Sequence, residues 1–256
     1  MHFIHAIILG IVEGATEFLP VSSTGHLILT SRLLGLPDST FLSTFEIAIQ
    51  CGAILAVVAL YLPRFFNWTL IKKLIVAFLP TAVIGFTVYP LVKSYLLTNP
   101  YIVVISLFVG GIALIVFEIF HRERPDAVSR PEDITYTQAF AIGIFQSIAV
   151  IPGVSRSAAT IVGGLASGIR RLAIVEFSFM LAVPTMAAAT GLDLLKSYKS
   201  ITTSDIGLLL VGTAVSFVVA LVALKFLIHY VRRFTFIPFG VYRIVVALLF
   251  FFLVLR

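Results

Sequence analysis

Two polar segments interrupt the apolar stretches of this 256-residue chain, and no other feature constrains its fold as much. The first reads Glu13-Gly-Ala-Thr-Glu17-Phe-Leu-Pro20-Val-Ser-Ser23-Thr-Gly-His26; the second reads Ile151-Pro152-Gly-Val-Ser155-Arg156-Ser157-Ala-Ala-Thr160. Their surroundings are very apolar: 60% of residues are hydrophobic and only 12% charged, about half the charge of a soluble domain. Several runs reach the roughly 18–20 apolar residues that span a bilayer. The chain is therefore expected to be an all-α integral membrane protein. In such a protein, acids, an arginine, a histidine and clustered hydroxyls at membrane depth face a cavity and mark a functional site.

Six segments have the length and apolarity of full transmembrane helices: about 41–62, 72–90, 101–120, 172–192, 206–230 and 238–255. Two more, about 1–36 and 136–168, are broken in the middle by Pro, Gly and hydroxyl residues. Each is expected to form two short helices joined by a polar turn. Non-helical backbone is tolerated at depth only where protein buries it or a wet cavity lines it. Both therefore read as re-entrant hairpins with the motifs at their tips. The alternative for each is one kinked span plus a surface loop. The stretch from His121 to Thr135 reads as a solvated connection.

The chain also carries a faint internal repeat. Pro20 and Pro152, Ser23 and Ser155, Phe45 and Phe177, and Thr81-Ala-Val83 and Thr213-Ala-Val215 all share an offset of 132 positions. The single membrane domain, 1–256, then divides into pseudo-repeats of about 1–120 and 133–256. With one hairpin and three spans each, the halves must insert in opposite orientations. Such inverted repeats place a site at their interface near the midplane.

Loop charge gives the expected orientation. Arg64, Lys72, Lys73, Arg122, Arg124, Arg130, Arg170, Arg171, Arg232 and Arg233 fall on one side; Arg32, Lys93, Lys196, Lys199 and Arg256 fall on the other. The first, richer side is expected to be cytoplasmic. The net charge of +6 suits loops facing anionic lipid. No clustered basic face suggests nucleic acid as a partner. The single Cys51 excludes an intramolecular disulfide and a cysteine metal cage.

The two motifs hold the parts of a site that grips and cleaves a phosphate. Glu13 and Glu17, four apart on a helix, share a face. Close carboxylates need a cation or a shared proton, and a divalent Mg²⁺ or Ca²⁺ suits oxygen ligands that bridge to phosphate. Ser22, Ser23 and Thr24 can cap the helix after Pro20, whose N-terminus attracts anions. Ser23 is the one that recurs, as Ser155. His26, one turn on, is a candidate proton carrier. Arg156 can fork onto phosphate oxygens, with Ser155, Ser157 and Thr160 as further donors; pairing with Glu13 or Glu17 is its other option. Glu46, Gln50, Gln146 and Glu176 either line the cavity or tie helices together. Glu118 and Asp193 are expected at interfaces, and Arg243 beside Tyr242 is expected to snorkel.

At these motifs the chain resembles the undecaprenyl-diphosphate phosphatase family, the bacitracin-resistance proteins. The run Gly10 to His26 is similar to that family's first motif, and Pro152-Gly-Val-Ser-Arg-Ser157 with Thr160 to its second. Glu176 to Pro184 and Phe236 to Phe239 also fit. The resemblance implies a phosphatase of the bacterial inner membrane that removes one phosphate from a C55 polyprenyl diphosphate lipid. It implies dependence on Mg²⁺ or Ca²⁺ and a site opening to the outer, periplasmic face. Its implied site residues are Glu13, Glu17, Ser23, His26, Ser155, Arg156, Ser157 and Thr160. Membrane lipids surround such a protein, and a homodimer is compatible with it. The competing expectation is a secondary transporter or flippase for a polyprenyl phosphate or small anion, because inverted repeats and broken helices also build those.

Overall fold

The computed structural model describes residues 1–91, 99–197 and 205–255. Lys93, Lys199 and Arg256 lie outside these residues, as do the side chains of Asp193 and Lys196. The described residues form ten α-helices and no strand beyond one isolated bridge between Val128 and Ile169. The helices are α1 (Phe3–Thr16), α2 (Ser23–Leu33), α3 (Thr40–Tyr61), α4 (Trp68–Leu91), α5 (Pro100–Phe120), α6 (Tyr136–Ser147), α7 (Arg156–Ala166), α8 (Arg171–Ser197), α9 (Ile206–Tyr230) and α10 (Ile237–Phe250).

Among the described residues, five apolar helical stretches are long enough to cross a membrane: Thr40–Phe66, Trp68–Val88, Pro100–Phe120, Arg171–Gly191 and Ile206–Tyr230. They coincide with five of the six expected spans. The sixth, expected over 238–255, is a shorter α-helix that continues as a π-helical turn over Phe251–Leu255. The bundle's flanks carry exposed apolar side chains such as Phe86, Val109, Leu210, Val222 and Leu253, a surface suited to lipid and not to water. The chain is a membrane-integral helical protein.

Both interrupted stretches form two short helices, as expected. α1 has 14 residues and α2 has 11, about 21 and 16 Å of helix, each too short for a hydrocarbon core of roughly 30 Å. α6 and α7, of 12 and 11 residues, are similar. Pro20 and Pro152 lack the N–H that would continue a helix. Gly153 adopts φ +89, a left-handed value that lets the second chain reverse before α7.

Between helices in lipid, close packing replaces the hydrophobic effect as the driving force, and small residues permit it. α1 lies on α9 and α6 lies on α4. A Cβ on Gly14 would stand 2.5 Å from the Ser216 carbonyl of α9, and one on Gly143 of α6 would collide with the Ala77 carbonyl of α4. α3 packs on α8, α5 on α10, α1 on α2 and α6 on α7. The main buried cluster joins Phe18 and Val21 of the first motif to Phe177, Phe179 and Phe236.

Ion pairs gather at the end of the bundle that carries the 121–135 connection. Arg64 bridges Glu132 at 2.9 Å and Glu176 at 3.3 Å; Arg171 bridges Glu118 at 2.6 Å and Glu123 at 3.5 Å. Lys73 donates to the Glu132 carbonyl. The connection is exposed along most of its length, as expected of a solvated loop, and is pinned to the bundle at two points: Ile134 is fully buried, and Val128 exchanges backbone hydrogen bonds with Gly168 and Arg170. Glu118, expected at an interface, has a fully buried side chain, which Arg171 neutralises. Elsewhere Gln146 ties α6 to Thr81 and Thr185 on two neighbouring helices, while Glu46 accepts from Ser31 at 2.7 Å.

Candidate active site

The turn after α1 and the turn before α7 meet. The Ser157 hydroxyl donates to the Phe18 carbonyl at 2.7 Å, and the Ser155 hydroxyl donates to the Leu19 carbonyl at 3.5 Å. These bonds join residues about 136–139 positions apart, so the fold and not the local sequence brings the two motifs together.

Glu17 occupies the centre. It follows the last residue of α1, and its side chain is 8% exposed. One carboxylate oxygen accepts from Arg156 at 3.0 Å; the other accepts the Ser23 hydroxyl. A serine whose proton points at a carboxylate has a base in place. Arg156, the first residue of α7, spends its other terminal nitrogen on the Ser178 carbonyl of α8 at 3.0 Å. Its guanidinium lies 5.6 Å from the Phe18 ring centroid, and its buried Nε has no partner.

Glu13 sits one turn back on the same face of α1. It is fully buried, no donor group of the protein reaches either carboxylate oxygen, and the side chain it meets is the Glu17 carboxyl. An isolated buried carboxylate is costly, so two acids this close call for a cation or a shared proton between them, and both side chains are of the type that could hold a hard divalent ion. Among the described residues, no group of three or more acid, histidine or cysteine side chains forms a complete metal cage. A divalent ion held by Glu13 and Glu17 would take its remaining ligands from water and phosphate, as Mg²⁺ commonly does.

Ser23 opens α2. Ser22, at the N-cap position, makes no side-chain cap bond and adopts φ 72, the only positive φ on a non-glycine among the described residues. Such strain costs of order 1–3 kcal/mol and persists where surrounding contacts enforce it. Here the enforcing contact is His26, whose Nδ1 bonds the Ser22 carbonyl at 2.8 Å. A carbonyl only accepts, so Nδ1 carries a proton. Nε2 then meets the Tyr242 hydroxyl at 2.8 Å, with the two rings stacked at an interplanar angle of 4°. His26 is thus engaged with Ser22 and Tyr242, and the Ser23 proton goes to Glu17.

The remaining expected residues are close but committed. Ser155 caps α7 by accepting from the Ala158 N–H at 3.2 Å. Ser157 serves the first turn. The Thr160 hydroxyl bonds carbonyls of its own helix at 3.0 Å and the Ser178 hydroxyl at 2.6 Å. Their side chains hold the tip together, while the N-terminus of α7 supplies N–H groups and the positive end of a dipole beside Arg156.

Three contributors were not read from the sequence. Tyr242 lies far from both motifs, and Ser178 sits within the stretch Glu176 to Pro184 with nothing local to single it out from its neighbours. Arg243 does not snorkel: it is 1% exposed and turned inward, and its environment is described below.

Comparison with known proteins adds to this geometry. Residues 6–249 match the family described as bacitracin resistance protein BacA. A Persephonella marina protein named undecaprenyl-diphosphatase is 51% identical, covering 100% of both chains. Proteins of the same name from Bdellovibrio bacteriovorus and a Sulfurihydrogenibium species are 52% and 49% identical, covering 97% and 98% of this chain and 94% and 99% of their own.

Proposed function

This chain belongs to the BacA bacitracin-resistance family, and from that membership and the joined motifs we infer that it is a membrane undecaprenyl-diphosphatase. It hydrolyses undecaprenyl diphosphate to undecaprenyl phosphate and inorganic phosphate, recycling the lipid carrier for cell-wall synthesis. The observation that carries the chemistry is Glu17, held by Arg156 on one oxygen and hydrogen-bonded by Ser23 on the other. The transporter or flippase alternative is not favoured, since the matched relatives bear the name of a diphosphatase.

The diphosphate enters between the two turns. Arg156 leaves Glu17 for the phosphate oxygens, and the N-termini of α2 and α7 add donors aimed at the same charge. Ser23 attacks the terminal phosphorus in line as Glu17 takes its proton. The Ser23–phosphorus bond forms, the bridging P–O bond breaks, and the lipid phosphate leaves with its electron pair. Water then cleaves the phosphoserine, with Glu17 returning the proton. In the one-step variant, water replaces Ser23 as nucleophile. His26 holds the strained Ser22 turn that aims Ser23; as an imidazolium, with Nε2 also protonated, it would deliver a proton to the departing lipid phosphate through the Tyr242 hydroxyl. Glu13 and Glu17 would hold Mg²⁺ or Ca²⁺, which would supply charge neutralisation at the diphosphate oxygens.

The finer architecture is part of the same proposal. Six spans and two re-entrant hairpins, in inverted halves of about 1–120 and 133–256, account for the paired packing. α1 on α9 is matched by α6 on α4, and α1 on α2 by α6 on α7. The basic end of the bundle faces the cytoplasm of a bacterial inner membrane, and the site opens to the outer face. Ser155, Ser157 and Thr160 build the phosphate-binding tip around Arg156.

The test is phosphate release from C55 or shorter polyprenyl diphosphate by purified protein in detergent, with and without EDTA, beside Glu17→Ala and Arg156→Ala. Metal-dependent release that both substitutions abolish is expected. No release by folded wild type, across metals and chain lengths, overturns the proposal.

A further inference from the structure

Arg243 is the largest fully buried side chain among the described residues, and the reaction outlined above does not use it. It stands on α10, and no carboxylate lies within ion-pair distance among the described residues. Its partners are four backbone carbonyls on three separate segments. Nη1 donates to Pro20 in the first turn at 3.4 Å. Nη2 donates to Gly153 in the second turn at 3.1 Å and to Ser106 of α5 at 3.1 Å. Nε donates to Leu107 of α5 at 3.4 Å.

Burying an unpaired guanidinium is expensive unless every donor direction is used. Two glycines make this arrangement possible. A Cβ on Gly110 would collide with the Arg243 guanidinium. Gly153 turns its carbonyl toward Arg243 in a left-handed conformation that other residues rarely adopt. The planar fork reaches both turns at once, which an ammonium on a flexible stem cannot do.

We propose that Arg243 is a positioning residue that staples the two motif-bearing turns to each other and to α5, setting the gap between Ser23 with Glu17 on one side and Arg156 with the α7 N-terminus on the other. The nucleophile and its proton acceptor come from the first turn; the arginine and helix end that hold phosphate come from the second. Their separation is therefore a catalytic dimension, and a misplacement of about 1 Å between such groups costs on the order of 10²-fold in rate. The turns also touch directly, through Ser155 on Leu19 and Ser157 on Phe18. Arg243 adds a bond to each turn at different residues, Pro20 and Gly153, and ties both to α5. The inference rests on the diphosphatase reading for its effect on turnover and on geometry alone for its effect on the turns.

The experiment compares purified wild type, Arg243→Lys and Gly110→Ala in detergent, by amide hydrogen exchange and by steady-state phosphate release. Arg243→Lys keeps the charge and loses the fork; Gly110→Ala keeps the arginine and displaces its guanidinium. In both, exchange should rise at least tenfold over residues 18–24 and 152–157 and stay unchanged over α9. Turnover should fall about 100-fold in Arg243→Lys, with a smaller change in KM than in kcat. Exchange and turnover within threefold of wild type in Arg243→Lys would overturn the staple. If Arg243→Lys exchanges rapidly along its whole length, Gly110→Ala decides: no local change at the two turns rejects the proposal. Should folded wild type release no phosphate, the diphosphatase reading falls by itself, and the exchange profile still decides the staple.

Discussion

Arg156 donates to Glu17 at 3.0 Å across 139 positions of sequence, and the oxygen it leaves free on Glu17 is the one Ser23 uses. The first acidic motif and the second basic motif are thus halves of one site. The pair also poses an energetic choice. In the proposed mechanism, substrate phosphate draws the guanidinium away from one oxygen of Glu17 and leaves the carboxylate more basic toward the serine that its other oxygen already meets. Arrival of the anion and activation of the base are then linked through one side chain.

Removing that side chain should therefore remove more than a positive charge. Arg156→Ala is expected to lower kcat/KM by roughly 10²–10³, the range for losing one preorganised donor, or about 3–4 kcal/mol. Arg156→Lys should recover only part of this, because Arg156 bonds Ser178 and Glu17 with two different nitrogens and an ammonium cannot hold that fork. Steady-state phosphate release measures both. Near-wild-type turnover in Arg156→Lys would show that point charge alone suffices.

In the proposed mechanism the hydrogen-bonded Ser23 and Glu17 work as a unit, so their losses should not add. Ser23→Ala and Glu17→Gln are each expected to lower kcat by about 10³ or more, and the double variant should be no slower than the worse single one. Additive losses would separate the two residues. Labelled phosphate trapped on wild type by rapid acid quench, and absent from Ser23→Ala, would identify the covalent route; its absence from both would favour direct attack by water.

Much of this was legible in the sequence, for physical reasons that can be named. Glu13, Glu17, Ser23 and Arg156 stood out because polar groups are scarce and costly where the neighbours are apolar. The short helices followed from Pro20 and Pro152, which cannot donate to a helical ladder. What escaped depended on distance in the chain. Tyr242 reaches His26 across 216 positions and Arg243 reaches Pro20 across 223, and no local pattern reports either. Arg243 was read as snorkelling because an arginine near the start of a span usually does so. The missing information was a ring of backbone carbonyls, which sequence does not display. Thr160 was legible as part of the second motif, but its bonds to its own helix and to Ser178 of a neighbouring helix were not, because they depend on how α7 and α8 pack.

Tyr242 tests what His26 does. Tyr242→Phe keeps the ring that stacks on the imidazole and removes the hydroxyl that meets Nε2. If His26 chiefly holds the Ser22 carbonyl through Nδ1, Tyr242→Phe should cost less than tenfold in kcat. His26→Ala, which releases the strained turn, should cost about 10²-fold, a typical size for a lost acid–base or aiming group. Equal losses in the two variants would mean that the proton travels through the tyrosine hydroxyl. Steady-state rates at a single pH distinguish these outcomes.

Glu13 makes the strongest stability prediction, because it is the least satisfied charged side chain of the site. No donor group of the protein reaches either of its buried oxygens, and another acid stands one turn away. An arrangement that costs folding energy and serves a ligand should become more stable when it is neutralised. Glu13→Gln preserves the shape and brings an N–H donor toward Glu17. In EDTA, this variant is expected to be more stable than wild type by about 1–2 kcal/mol, a rise of several degrees in Tm. Adding Mg²⁺ or Ca²⁺ should then raise the Tm of wild type, since a ligand bound only by the folded state stabilises it. The same addition should leave Glu13→Gln almost unchanged, and that variant should lose most of its phosphate release. Thermal unfolding with and without cation, run beside the activity assay, measures all three effects. A Glu13→Gln protein that is less stable in EDTA than wild type would mean that the carboxylate supports the fold and not a cation.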